Sequence, residues 1–158
     1  MKTLIIYDSF FGNTEQVAQA IGKALSSHEQ VEICRVSGVK PEQLEGVKLL
    51  IVGSPTRGFR PTPAIMDLLK GISANALQDV KVATFDTRIA TSDIKSTALR
   101  LMVNFGGYAA APIAALLKKK GGEQIAPPEG FFVQDREGPL KAGELERAAN
   151  WARQLSFK

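Results

Sequence analysis

A single cysteine, a single histidine and a single tryptophan in 158 residues restrict the chemistry open to this chain. With Cys34 alone, no internal disulfide forms, and its place in the alternating stretch Val31-Glu32-Ile33-Cys34-Arg35-Val36 marks a packing residue of a strand rather than a redox thiol. His28 follows Ser26-Ser27 at the end of a helical pattern, where it suits the helix carbonyls better than a metal ion. No His, Cys, Asp and Glu residues recur at metal-ligand spacing, no nucleophile elbow is present, and no paired carboxylates are set for acid–base work.

Long hydrophobic runs are missing too. The longest, Tyr108 to Leu117, is interrupted by Pro112 and falls far short of the roughly 20 residues of a membrane span. The first apolar run ends at Asp8, too early for a signal-peptide core, and no small-residue cleavage site follows; a cytoplasmic protein is expected. Acidic residues are fewer than basic ones, 16 against 20, and the net charge of +4 raises the question of a nucleic-acid partner. The charges are scattered, however. The only basic run, Lys118-Lys119-Lys120, precedes Gly121-Gly122 at the end of a helical pattern, where cations complement the helix terminus. No nucleic-acid partner is called for.

What is present is a regular alternation. A chain of this length, 44% hydrophobic, is the size of one domain spanning residues 1–158. Strand-like runs at Thr3 to Tyr7, Val31 to Val36, Leu49 to Gly53, Val80 to Phe85 and Gly130 to Val133 alternate with helical patterns. Val17, Ile21 and Leu25 mark the first helix; Thr62 to Lys70, with Pro63 in its first turn, marks a second; Lys141 to Leu155 marks the last. The arrangement predicts an α/β fold, a doubly wound five-stranded parallel sheet covered on both faces. The first, third and fourth runs are almost wholly apolar, as central strands are, while the second alternates like an edge. About 45 residues separate the fourth run from the fifth, more than one helix requires, and they read as two helical segments, Ile94 to Phe105 and Tyr108 to Lys120. The first of these fits a lid, a docking surface or additional core.

Ser9-Phe10-Phe11-Gly12-Asn13-Thr14 lies between the first strand and the first helix. A loop there exposes backbone N–H groups at the positive end of a helix dipole, and with the hydroxyls of Ser9 and Thr14 it suits a phosphate; an ordinary turn with a helix cap is the plainer alternative. The stretch resembles the phosphate loop of the flavodoxin family, Ser/Thr-x-Thr-Gly-x-Thr, with Phe11 departing from the usual hydroxyl. A second segment, Gly53-Ser54-Pro55-Thr56-Arg57-Gly58-Phe59, follows the third strand and resembles the family loop Gly-Ser-Pro-Thr-x-Gly, with Arg57 where Trp often stands.

The resemblance implies the flavodoxin-like strand order 2-1-3-4-5, with the extra helical segment between the fourth and fifth strands, and noncovalent FMN as cofactor. Ser9, Phe10, Gly12, Asn13 and Thr14 would grip its phosphate, and Thr56, Arg57, Gly58 and Phe59 would surround its ring, with Phe59 or Tyr108 supplying apolar contact. The loop Asp86-Thr87-Arg88, after the fourth strand, lacks the family's usual Gly-Asp and Tyr; it offers contacts to the ring's pyrimidine edge or, equally, an Asp86–Arg88 ion pair closing the loop. A cation at Arg57 would favour the reduced, anionic ring and raise its potential above that of acidic flavodoxins. The function so implied is electron transfer between redox partner proteins, with an acidic docking face on the partner. The rivals are an FMN-dependent NAD(P)H:quinone-type reductase, disfavoured by the absence of a Gly-x-Gly-x-x-Gly fingerprint, and a cofactor-free receiver-like module, which would need carboxylates that Asp8 lacks nearby.

Overall fold

The computed structural model describes residues 1–94, 96–98, 101 and 107–158. In chain order the main elements are β1 (Lys2–Tyr7), α1 (Asn13–Leu25), β2 (Gln30–Arg35), β3 (Leu49–Pro55), α2 (Pro63–Gly71), β4 (Lys81–Ile89), α3 (Ala110–Lys119), β5 (Glu123–Gln124), β6 (Glu129–Val133) and α4 (Glu144–Leu155). The strands pair in parallel in the order β2-β1-β3-β4-β5, with β6 also on β4, which is the flavodoxin-like topology. The order in which strands are added therefore reverses between β1 and β3, and the carboxyl ends of those strands open the crevice where such sheets hold ligands.

The fifth position is shared by two short strands rather than filled by the single run expected from Gly130 to Val133. Gln124 pairs with Val82 and Glu129 with Phe85, so the four residues Ile125 to Pro128 lie opposite only Ala83 and Thr84. Pro127 and Pro128 have no N–H to give a ladder, and the chain bulges there before pairing resumes.

The period-two alternation of each central strand feeds two cores. Ile5, Ile51 and Phe85 face α1 and α4, while Leu4, Ile6, Leu50, Val52 and Val82 face α2 and α3. On the first face Phe85, Phe131 and Trp151 meet edge to face with centroids 6.0–6.3 Å apart. Phe85 is wholly buried. Removing such a ring costs about 3–5 kcal/mol. Gly53 is needed beside it for space rather than torsion: a Cβ there would come within 2.1 Å of the Phe85 ring.

The helix ends follow the sequence signals. Pro112 lies in the first turn of α3, where its missing N–H costs nothing. At the other end Gly121, at φ +100°, donates to Lys118 O and Gly122 donates to Leu117 O, a Schellman closure that accounts for the Lys-Lys-Lys-Gly-Gly sequence. His28 is exposed beyond the end of α1, and Cys34 is half-buried on the edge strand β2. The helical reading of Ile94 to Phe105 falls mostly outside the described residues.

Candidate functional site

Between β1 and α1 the chain turns through Gly12 at φ +89°, a left-handed conformation that a Cβ would strain. Ser9 Oγ accepts from the N–H groups of Gly12 at 3.1 Å and Glu15 at 3.4 Å, and Asp8 Oδ1 accepts from Ser9 N–H. The N–H groups of Phe10, Phe11, Asn13 and Thr14 have no partner among the described residues. They form an amide nest at the positive end of α1, the type of site that holds an anion without a cationic side chain.

The loop is braced from three directions. Thr14 Oγ1 and Thr87 Oγ1 share a hydrogen bond of 2.7 Å, tying α1 to β4, and Asn13 Nδ2 donates to Glu137 O at 3.1 Å. From β2, Arg35 donates to Ser9 O at 2.8 Å and to Glu15 Oε2 at 2.9 Å. The parallel register that sets Arg35 beside Tyr7 delivers it there, and its guanidinium lies 5.4 Å from the Tyr7 ring. Burial, reinforced by the hydrogen bond to Glu15, pushes the Tyr7 hydroxyl pKa up.

At the end of β3, Thr56 N–H donates to Thr87 O, and Thr56 Oγ1 accepts from Ala109 N–H at 3.1 Å. Arg57 and Arg60 exchange backbone hydrogen bonds of 2.9 and 3.0 Å across Gly58 and Phe59, at φ +53° and +66°. Positive φ at both central residues is the type I′ signature. At half-buried Phe59 the conformation is strained, and strain of this kind gathers at ligand sites. The exposed Arg57 side chain lies over the Phe10 ring at 4.4 Å.

The third loop is closed by the ion pair. Asp86, fully buried, receives Arg88 Nε at 2.5 Å and Arg88 Nη2 at 2.7 Å, and it also accepts from Ala110 N–H at 2.9 Å. Burial pushes its carboxyl pKa up, against the pull of Arg88 and the Ala110 amide. Tyr108 covers the guanidinium 3.8 Å from its ring centroid.

These three loops enclose a cavity of about 440 Å³. That volume lies within the usual range for small-molecule sites, roughly 300–1,000 Å³. Of the residues expected from sequence, Ser9, Phe10, Asn13 and Thr14 line it on one side and Thr56, Arg57, Gly58, Phe59, Thr87 and Arg88 on the other. Gly12 is not in the lining: its part is to turn the chain so that neighbouring amides point outward. Asp86 is not in the lining either, its carboxylate being spent on Arg88 and Ala110. The structure adds Phe11, Ile89, Ile94, Val133 and Arg136 to the wall and brings Tyr108 there from the start of α3. Phe11 belongs to the first loop, but no motif marks Ile89, Ile94, Val133 and Arg136; the segments at the ends of β4 and β6 reach the cavity only because those strands run side by side. Four unpaired amides for a dianion, with flat and apolar groups beyond them, fit the phosphate and the ring of FMN.

A family model described as flavodoxin matches residues 5–127. The chain belongs to the flavodoxin family. This family consists of FMN-binding proteins of electron transfer. No curated protein matches this chain by sequence. Its fold is similar to that of solved flavodoxins. With one from the domain Archaea it shares 20% identity at a TM-score of 0.79, over 99% of this chain and 97% of that one. The oxidised flavodoxin 1 of Bacillus cereus is 16% identical with a TM-score of 0.76, over 99% and 98% of the two chains. The flavodoxin of Streptococcus pneumonia TIGR4 is also 16% identical with a TM-score of 0.75, over 99% of each chain. Among the described residues no helix is long and apolar enough to cross a membrane, and no group of His, Cys, Asp and Glu is placed to hold a metal.

Proposed function

We propose that this flavodoxin holds FMN noncovalently in the cavity described above and carries electrons between redox proteins of the cytoplasm. The observation that carries the reading is the nest of unpaired N–H groups at the start of α1, opening into a cavity whose other walls are aromatic, aliphatic and cationic. Bound FMN supplies the one- and two-electron chemistry. The chain's own residues bind, orient and tune. Phe10, Asn13 and Thr14 present amides to the phosphate, and Thr87 holds Thr14 in register. Phe59, on its tight turn, and Tyr108 give flat or apolar contact, while Arg57 and Arg88 bring positive charge to the wall.

Positive charge in that wall favours the reduced, anionic state of the ligand, so the second one-electron potential is expected to lie above that of acidic flavodoxins. Arg57 and Arg136, both exposed at the cavity, suit a partner with an acidic docking face, and electron transfer to such a partner should slow as salt rises. Titrating the purified protein with FMN tests the cofactor. Saturable binding with the visible bands of a protein-bound flavin is the expected result, and absorbance that remains that of free FMN overturns it. Sustained turnover of NADPH with a quinone by the pure, loaded protein would instead assign it to the reductases on this fold.

A further inference from the structure

Arg57 and Arg88 both line the cavity, but the protein holds them differently. Arg57 projects from an exposed turn onto the Phe10 ring, and among the described residues no carboxylate pairs with it. Arg88 is enclosed: its side chain is 18% exposed, and that of Asp86, its partner, is 0%. Asp86 takes two of its N–H groups, and Tyr108, whose hydroxyl is hydrogen-bonded to Ile89 O at 3.2 Å and Thr91 Oγ1 at 2.8 Å, covers the guanidinium. β6 lies against it so closely that a Cβ on Gly130 would sit 2.1 Å from Arg88 Nε. The guanidinium is thus fixed in place before any ligand arrives.

Asp86 cancels this charge only in part as seen from the cavity. The carboxylate is wholly buried outside the lining and is shared with the Ala110 N–H at the start of α3, whereas Arg88 is in the lining. The pair is therefore a dipole of which the positive partner, not the negative one, belongs to the cavity wall. A charge held in a partly desolvated wall acts through a lower effective dielectric than one on a solvated turn, and salt screens it less.

We propose that Arg88, positioned by Asp86, Tyr108 and Gly130, is the residue that most shifts this cavity's affinity toward reduced FMN relative to oxidised FMN, with Arg57 a lesser contributor. The inference rests on the FMN-binding reading and names the residue that tunes it. Each electron comes from an external one-electron donor, and where no proton follows it the bound ligand gains one negative charge; Arg88 is the fixed positive charge that compensates. Gly130 enters as a spacer, since any larger residue would displace the guanidinium.

The test compares the dissociation constants of oxidised FMN and of FMN reduced with dithionite, for the wild-type protein and for Arg88→Gln, Arg88→Lys and Arg57→Ala. Arg88→Gln should weaken reduced FMN at least tenfold more than oxidised FMN, which for a two-electron couple is a fall of about 30 mV in midpoint potential. Arg88→Lys, which keeps the charge, should keep most of the preference, and Arg57→Ala should change the ratio less than threefold. Should Arg88→Gln not fold, the wild-type protein still decides: the ratio of the two constants should hold nearly constant between low and molar salt, because screening of the phosphate cancels in the ratio while a solvated Arg57 would lose its influence. Equal weakening of both forms by Arg88→Gln, a larger effect from Arg57→Ala, or a ratio that collapses with salt each overturns the proposal while leaving FMN binding intact. Failure to bind oxidised FMN at all overturns the functional reading itself.

Discussion

On the α1 side of the cavity the groups offered to a ligand belong to the backbone, while on the β3 and β4 side they belong to side chains. The α1 side consists of amides that any residue would supply once Gly12 has turned the chain, steadied from behind by Arg35 and Thr87. The β4 side depends on particular side chains, Arg57, Phe59, Arg88 and Tyr108, whose positions depend in turn on strand register, a strained turn and a buried carboxylate. A backbone site tolerates sequence change, whereas a side-chain site changes with each substitution.

The largest effect should come from removing the ligand's phosphate. Hydrogen bonds to a charged group contribute about 1.5–3 kcal/mol each, so losing even two of them weakens binding roughly a hundredfold or more. Riboflavin should therefore bind at least that much more weakly than FMN in parallel fluorescence titrations; affinities within threefold of each other would break the comparison.

A smaller effect concerns the support beneath the side-chain end. Arg147 donates to Gly130 O, to Glu129 and to Glu144, and Glu144 accepts from Phe132 N–H at 2.7 Å, so this network props β6 where it backs Arg88. Burial alone would raise the Glu144 pKa, but its bonds to Arg147 and Phe132 hold it below the usual carboxylate range. Because the folded value is depressed, the stabilisation is present at neutral pH and is lost as pH falls through that depressed value. Glu144→Gln should cost about 1–2 kcal/mol at neutral pH in urea unfolding. The gap from wild type should close on acidification, and a gap independent of pH would sever the network from the acid response. Asp86 has the opposite sign: its raised carboxyl pKa means that folding weakens as pH climbs through that value.

The smallest effect sharpens the reading of the turn. Phe59→Gly removes the cost of a left-handed phenylalanine, about 1–2 kcal/mol, and incurs most of it again in chain entropy. The ligand-free protein should gain roughly 0.5 kcal/mol in thermal unfolding while FMN binds less tightly, since the ring loses apolar contact. A variant that loses both stability and affinity would show that Phe59 is packed rather than strained.

The elements most legible from sequence were those made by local physics. Val17, Ile21 and Leu25 announce α1, Pro63 opens α2, and Lys118 to Gly122 spell out a helix stop. The central places of β1, β3 and β4 were legible as well, because near-continuous apolar runs belong in the centre of a covered sheet, and the order implied by the family resemblance agreed with the structure. The divided fifth position was not legible: Pro127-Pro128 signals a break, but that pairing resumes beyond it is decided by β4. Arg35 and Arg136 gave no signal, since scattered arginines look alike until a neighbour is known.

By itself the sequence determined the alternation of strands and helices, the apolar faces and the glycine that exposes the α1 amides, because propensity, periodicity and backbone torsion act within a few residues of one another. Only the tertiary structure decided which charges face the cavity. Whether Arg88 is a solvated side chain or a fixed cation depends on Asp86 behind it, Tyr108 from 20 residues downstream and Gly130 on the adjacent strand, and burial that removes water from an ion pair is a property of assembled elements.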